Sequence, residues 1–185
     1  MAQWVARLQP IEERLRPIAT RGVDILATGW RERLRARRPP DEAALGEEAA
    51  VREEAHALLG ELVEAYPKAD EAGRAAIRRL MREFPRFAWA ATLSVPRTTA
   101  DGFHARLVHF AMADQGPDPR DATMWIDRIT LDAQDAGLDV PAILREVAGL
   151  ASHEDPYGWG STAEWLLRRA EHPLRRRTPG TGPTE

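Results

Sequence analysis

Apolar side chains recur at intervals of three and four residues along most of this chain, and that spacing restricts it to helices. Trp4, Leu8, Ile11, Leu15 and Ile18 form one such stripe. Val23, Leu26, Trp30 and Leu34 form a second, ending before Pro39 and Pro40. Pro10 and Pro17 interrupt the first stripe, because a proline inside a helix removes a backbone donor and clashes with the preceding turn. One bent helix or two short ones is therefore expected. Neither stripe runs through enough heptads for a coiled coil.

Further along, Leu45, Ala49, Val51, Ala55, Leu58, Leu59, Leu62, Val63 and Tyr66 supply an apolar face between a cap at Asp41 and a stop at Pro67. Asp70 is placed to cap the next helix, with Ala76, Ile77, Leu80, Met81 and Phe84 turned inward. Phe87 to Leu93 is a short apolar run whose alanines favour helix over strand. Thr98 and Asp101 resemble a helix start ahead of Phe103, Leu107 and Phe110. Asp118-Pro119 pairs a cap acceptor with a first-turn proline, before a helix that ends at Gly137. Asp139 begins a shorter helix, and Ser161 with Glu164 makes a capping box ahead of Trp165, Leu166 and Leu167.

These signals predict an all-α protein, a compact irregular bundle of roughly seven to nine helices. Residues 1–66 are expected to form a helical arm packed on or beside a compact body at 70–170. Residues 171–185, rich in Arg, Pro, Gly and Thr, are expected to form a flexible tail.

Composition narrows the chemistry. Hydrophobic residues make up 43% of 185, enough for a packed interior. Cysteine is absent, which removes disulfides, thiol nucleophiles and thiolate metal ligation. The start MAQWVARLQPIEERL lacks a long apolar segment, and no stretch reaches spanning length. A soluble, cytoplasmic protein is expected. Lys68 is the only lysine among 26 basic side chains, which fits a GC-rich bacterial genome.

The net charge of −3 conceals an alternation. Residues 1–40 and 67–93 carry a basic excess, whereas 41–66 and 118–160 are acidic. Neighbouring helices offering each other complementary surfaces would account for it. Steering toward a partner is the functional alternative.

Candidate sites are few. The run Asp114-Gln115-Gly116-Pro117-Asp118-Pro119-Arg120-Asp121 reads as a stiff, polar elbow between two helices. Its carboxylates lack the ligand spacing of a calcium loop, and local capping explains them better. His109 with Asp114 is the catalytic alternative, as a His–Asp pair could bind metal or activate water. A histidine at a helix edge is the simpler reading of His109 and of His104. Ser152, His153, Glu154 and Asp155 are too close in sequence to converge as a triad. Gly158-Trp159-Gly160 is a tight turn that could expose Trp159, with Tyr157, as an aromatic anchor. Arginine clusters at 31–38 and 168–177 raise nucleic-acid binding, but the acidic chain shows no helix-turn-helix spacing.

A non-catalytic helical protein-interaction or regulatory module is therefore expected, contacting a protein partner or a second copy of itself through Gln115, Asp118, Arg120, Tyr157 and Trp159. No cofactor or metal is expected. A small metal-assisted hydrolase using His109 and Asp114, and an arginine-mediated nucleic-acid binder, are the alternatives.

Overall fold

Every regular element described in the computed structural model, which covers residues 2–27, 42–90, 93–114, 121–155 and 158–174, is an α-helix. In chain order these are α1 (Ala2–Ala27), α2 (Glu42–Ala65), α3 (Glu71–Glu83), α4 (Pro85–Ala90), α5 (Ala100–Ala113), α6 (Asp121–Asp135), α7 (Val140–Ala148) and α8 (Thr162–Glu171). Among the described residues there is no strand, so the all-α expectation holds. Contacts group the chain into two compact units, Met1–Ser94 and Val95–Glu185.

In the first unit, α1 continues through Pro10 and Pro17 and takes in Val23 and Leu26. Trp30 and Leu34 of the second stripe lie outside the described residues, as does Asp41. A helix-interior proline costs about 3 kcal/mol. Leu8, Ile11 and Leu15, all fully buried, offset it, since each such burial contributes about 1.5–3 kcal/mol. Helix α1 packs on α2 and on α4, and α4 packs on α3. Val51, Ala55, Leu58, Leu59 and Leu62 of α2 meet the core, while Ala49 faces solvent.

Polar contacts add links between these packed helices. Arg7 pairs with Glu61 at 2.6 Å and Arg14 with Glu54 at 2.7 Å, so two arginines of α1 meet the acidic helix α2. Glu12 of α1 is buried, and its carboxylate accepts from the backbone N–H of Arg86 at 3.2 Å and of Phe87 at 2.7 Å. Arg86 Nη1 adds a third bond at 3.1 Å. A side chain distant in sequence thus caps α4, whose first amides would otherwise be unsatisfied. The run from Phe87 is helical as far as Ala90. At α3, Asp70 Oδ1 accepts from Gly73 N at 2.8 Å, as expected of its cap. Arg78, itself buried, donates to Tyr66 Oη at 2.8 Å and to Glu71 Oε1 at 2.5 Å.

In the second unit, α5 is buried on almost every side from Leu107 to Ala113 and forms the centre. Helices α6 and α7 pack on it, and α8 packs chiefly on α7. The cap of α5 is Thr99 rather than Thr98: its hydroxyl accepts from Gly102 N at 3.2 Å. The shift follows from Gly102, where a Cβ would stand 1.9 Å from the Pro96 carbonyl oxygen. Only glycine allows the preceding loop to lie this close. Arg106 Nη2 donates to the Val95 carbonyl at 2.7 Å, and burial, with Arg97 nearby, lowers its guanidinium pKa.

Helix α6 stops as its sequence predicts. Gly137 adopts φ +76°, Leu138 N donates to Ala133 O, and Gly137 N donates to Gln134 O, the paired bonds of a Schellman ending. Asp139 caps α7 through Ala142 N at 3.1 Å. Ser161 and Glu164 exchange both bonds of the capping box at the start of α8.

Candidate functional site

The end of α5 brings both residues of the His–Asp alternative into view. His109 is 5% exposed on α5, and Asp114 is 5% exposed at its C-terminal cap. Asp114 holds a left-handed backbone (φ +38°, ψ +40°), a conformation that aspartate tolerates better than most residues. Its Oδ1 accepts from the Thr162 hydroxyl at 3.2 Å. Thr162 is the first residue of α8. The carboxylate therefore ties the end of α5 to the start of α8, where its charge also complements the helix dipole. Among the described residues no group of three His, Cys, Asp or Glu side chains is placed to hold a metal ion.

The remaining histidines sit in ordinary settings. His104 Nε2 lies 3.2 Å from a Glu146 carboxylate oxygen, and His153 and His172 face solvent. Gln115, Asp118, Arg120 and Tyr157 lie outside the described residues, as do the arginines at 31–38 and 175–177.

Trp159 is described, and its surroundings are specific. It is 52% exposed, between Gly158 at φ +72° and Gly160 at φ +93°. Asp155 closes the loop beneath it: Oδ1 accepts from Trp159 N and Oδ2 from Gly160 N, both at 3.0 Å. The glycines permit the reversal, and the carboxylate takes up the amides that the reversal exposes. Those amides are therefore already bonded within the loop. Ser152 anchors the preceding chain, its hydroxyl accepting from Glu154 N and its carbonyl from Ala163 N, both at 3.1 Å. Just after the loop comes the Ser161–Glu164 box. The half-exposed indole is thus carried on a backbone bonded at both ends. Leu167 on α8, 40% exposed, is the other large apolar side chain open to solvent among the described residues.

A second feature lies along α8. Trp165, Arg168, Arg169 and His172 recur at three, one and three, on one helix face, and line a cleft of about 200 Å³. Arg169 Nη2 approaches Asp127 Oδ1 to 2.6 Å, close as an ion pair but off-angle for a hydrogen bond. Its guanidinium also lies 5.4 Å from the Trp165 ring centroid. Phe110 packs against that ring at 5.3 Å and 54°. Burial raises the Asp127 carboxyl pKa against the opposing pull of Arg169.

No protein-family model, curated protein or solved structure matches the chain.

In the sequence Asp155 reads only as a neighbour of Ser152, His153 and Glu154, and its role in the loop is not expected. An aspartate four and five residues ahead of a Trp-Gly pair is the signal that could have revealed it. The spacing of Trp165, Arg168, Arg169 and His172 marks one helix face in the sequence, but which of these arginines is paired depends on Asp127, distant in sequence.

Proposed function

We propose that this protein is a non-catalytic interaction module that presents Trp159 to a protein partner. The observation that carries the reading is the half-exposed indole on a loop clasped by Asp155. Exposing a tryptophan forgoes burial worth roughly 1.5–3 kcal/mol for a large apolar side chain. Holding it on a bonded loop limits the ordering entropy that docking must overcome. Tryptophans so presented are favoured anchors at protein interfaces. Gln115, Asp118, Arg120 and Tyr157 are the polar and aromatic residues proposed to join the contact. The buried settings of His109 and Asp114 support this reading over the hydrolase alternative, because neither side chain is open to a substrate.

Site-specific photo-crosslinking in native lysate tests it. A photo-reactive residue at position 159 is expected to give one discrete protein adduct, and the same residue at exposed Arg79 none. Equal labelling from both positions, or none from 159, would reject the reading.

A further inference from the structure

We infer that the cleft on α8 is a binding site for a phosphate group, separate from the Trp159 loop. Three cationic or donor-bearing side chains converge there on one helix face: Arg168, Arg169 and His172. They are not equivalent. Arg169 is held by Asp127 at 2.6 Å and lies over Trp165, so it is a fixed wall. Arg168 and His172 face solvent, and no carboxylate among the described residues pairs with either. Glu164, four residues before Arg168, is committed through Oε2 to the Ser161 amide. Arg168 therefore keeps its fork of N–H donors for an outside acceptor.

The charge balance points the same way. The cleft lining carries two guanidinium groups, and among the described residues Arg169 alone of these is paired with a carboxylate, that of Asp127. An added anion would meet a net positive site. A fork from Arg168 together with ring and guanidinium donors from His172 and Arg169 suits an acceptor with three oxygens, more than a carboxylate provides. The volume, about 200 Å³, suits a small group. Trp165 is already engaged by Arg169 and Phe110, so the indole is a wall and not a stacking platform for a base. The ligand is accordingly a phosphate, free or as a simple monoester, recognised without a nucleobase.

Calorimetric titration of the intact protein at low salt decides this, with inorganic phosphate, phosphoserine and acetate as separate probes. Saturable binding of phosphate is expected, with acetate clearly weaker. Tighter binding of phosphoserine than of phosphate would identify an esterified group as the ligand, and equal binding the free anion. Arg168→Ala should weaken phosphate binding at least about tenfold, the loss of one charge-assisted contact. Arg168→Lys should fall between, since it keeps the charge and loses the fork. Arg145→Ala, on an exposed position of α7, should change nothing, and Trp159→Ala should leave phosphate binding intact. Absence of saturable phosphate binding would overturn the assignment. So would acetate binding as tightly as phosphate, or equal losses in Arg168→Ala and Arg145→Ala. Arg168 is exposed, and Arg168→Lys supplies a second reading if the alanine variant loses helix content.

Discussion

Glu12 shows how much one side chain can do here. It is 8% exposed on α1, yet its carboxylate serves two backbone amides and a guanidinium at α4. Glu12→Ala would leave the Arg86 and Phe87 amides without their acceptor and should destabilise the protein by about 1–3 kcal/mol in urea unfolding. A change below a few tenths would mean that water replaces the carboxylate at no cost. Asp114 is the counterpart in the second unit. Thr162→Val removes the hydroxyl that donates to its Oδ1 and keeps the shape, so a loss of about 1–3 kcal/mol is expected from a buried carboxylate short of one donor. Neither role was legible in the sequence. Glu12 reads there as one of four acidic residues in a basic segment, and Asp114 as the first carboxylate of an elbow. Spacing reports which face of a helix is buried. It carries no information about which distant amide a carboxylate will meet.

Helix boundaries were far more legible, because their chemistry is local. Asp70, Asp139, Ser161 with Glu164, and Gly137 all act where sequence puts them. The miss at Thr99 has a tertiary cause: the close approach of Pro96 to Gly102 sets where α5 begins. Gly102→Ala should therefore cost more than an ordinary helix substitution, which alanine would normally favour. The added methyl meets backbone, and a loss of about 1–3 kcal/mol or more is expected from thermal unfolding. Stabilisation would show that the contact is loose. The ion pair of Glu71 with Arg78 within α3 carries a pH signature. The hydrogen bond from Arg78, with Arg74 adding to it, holds Glu71 below the usual carboxylate range. A lowered folded pKa means stability that is present above the unfolded value, 4.5, and lost as pH falls through the folded one. Glu71 is well exposed, so solvent screening keeps the effect near about 1 kcal/mol or below. Glu71→Gln should lower stability at pH 7, and the difference should close in strong acid. A difference that persists there would assign the effect to packing.

At the scale of the whole molecule, the chain invests its polar groups in joining helices. Arg7 with Glu61, Arg14 with Glu54, Glu12 with α4, and Asp114 with α8 each stitch one element to another. Two arginines of the basic segment 1–40 pair in this way with the acidic segment 41–66. No described helix is long and apolar enough to cross a membrane. Among the described residues, the Trp159 loop presents a half-exposed indole on a bonded backbone. If Asp155 holds that loop, Asp155→Ala should speed amide exchange at Trp159 and Gly160 while leaving α8 protected. Unchanged exchange would mean that the glycines and the capping box suffice. The most direct test of the interaction reading is the affinity of the partner crosslinked at position 159, measured at fixed salt for the wild-type protein and for Trp159→Ala. With unfolding curves unchanged, loss of an anchor of this kind predicts binding weaker by at least about 2 kcal/mol, roughly thirtyfold. Equal affinity of the two proteins would contradict the account.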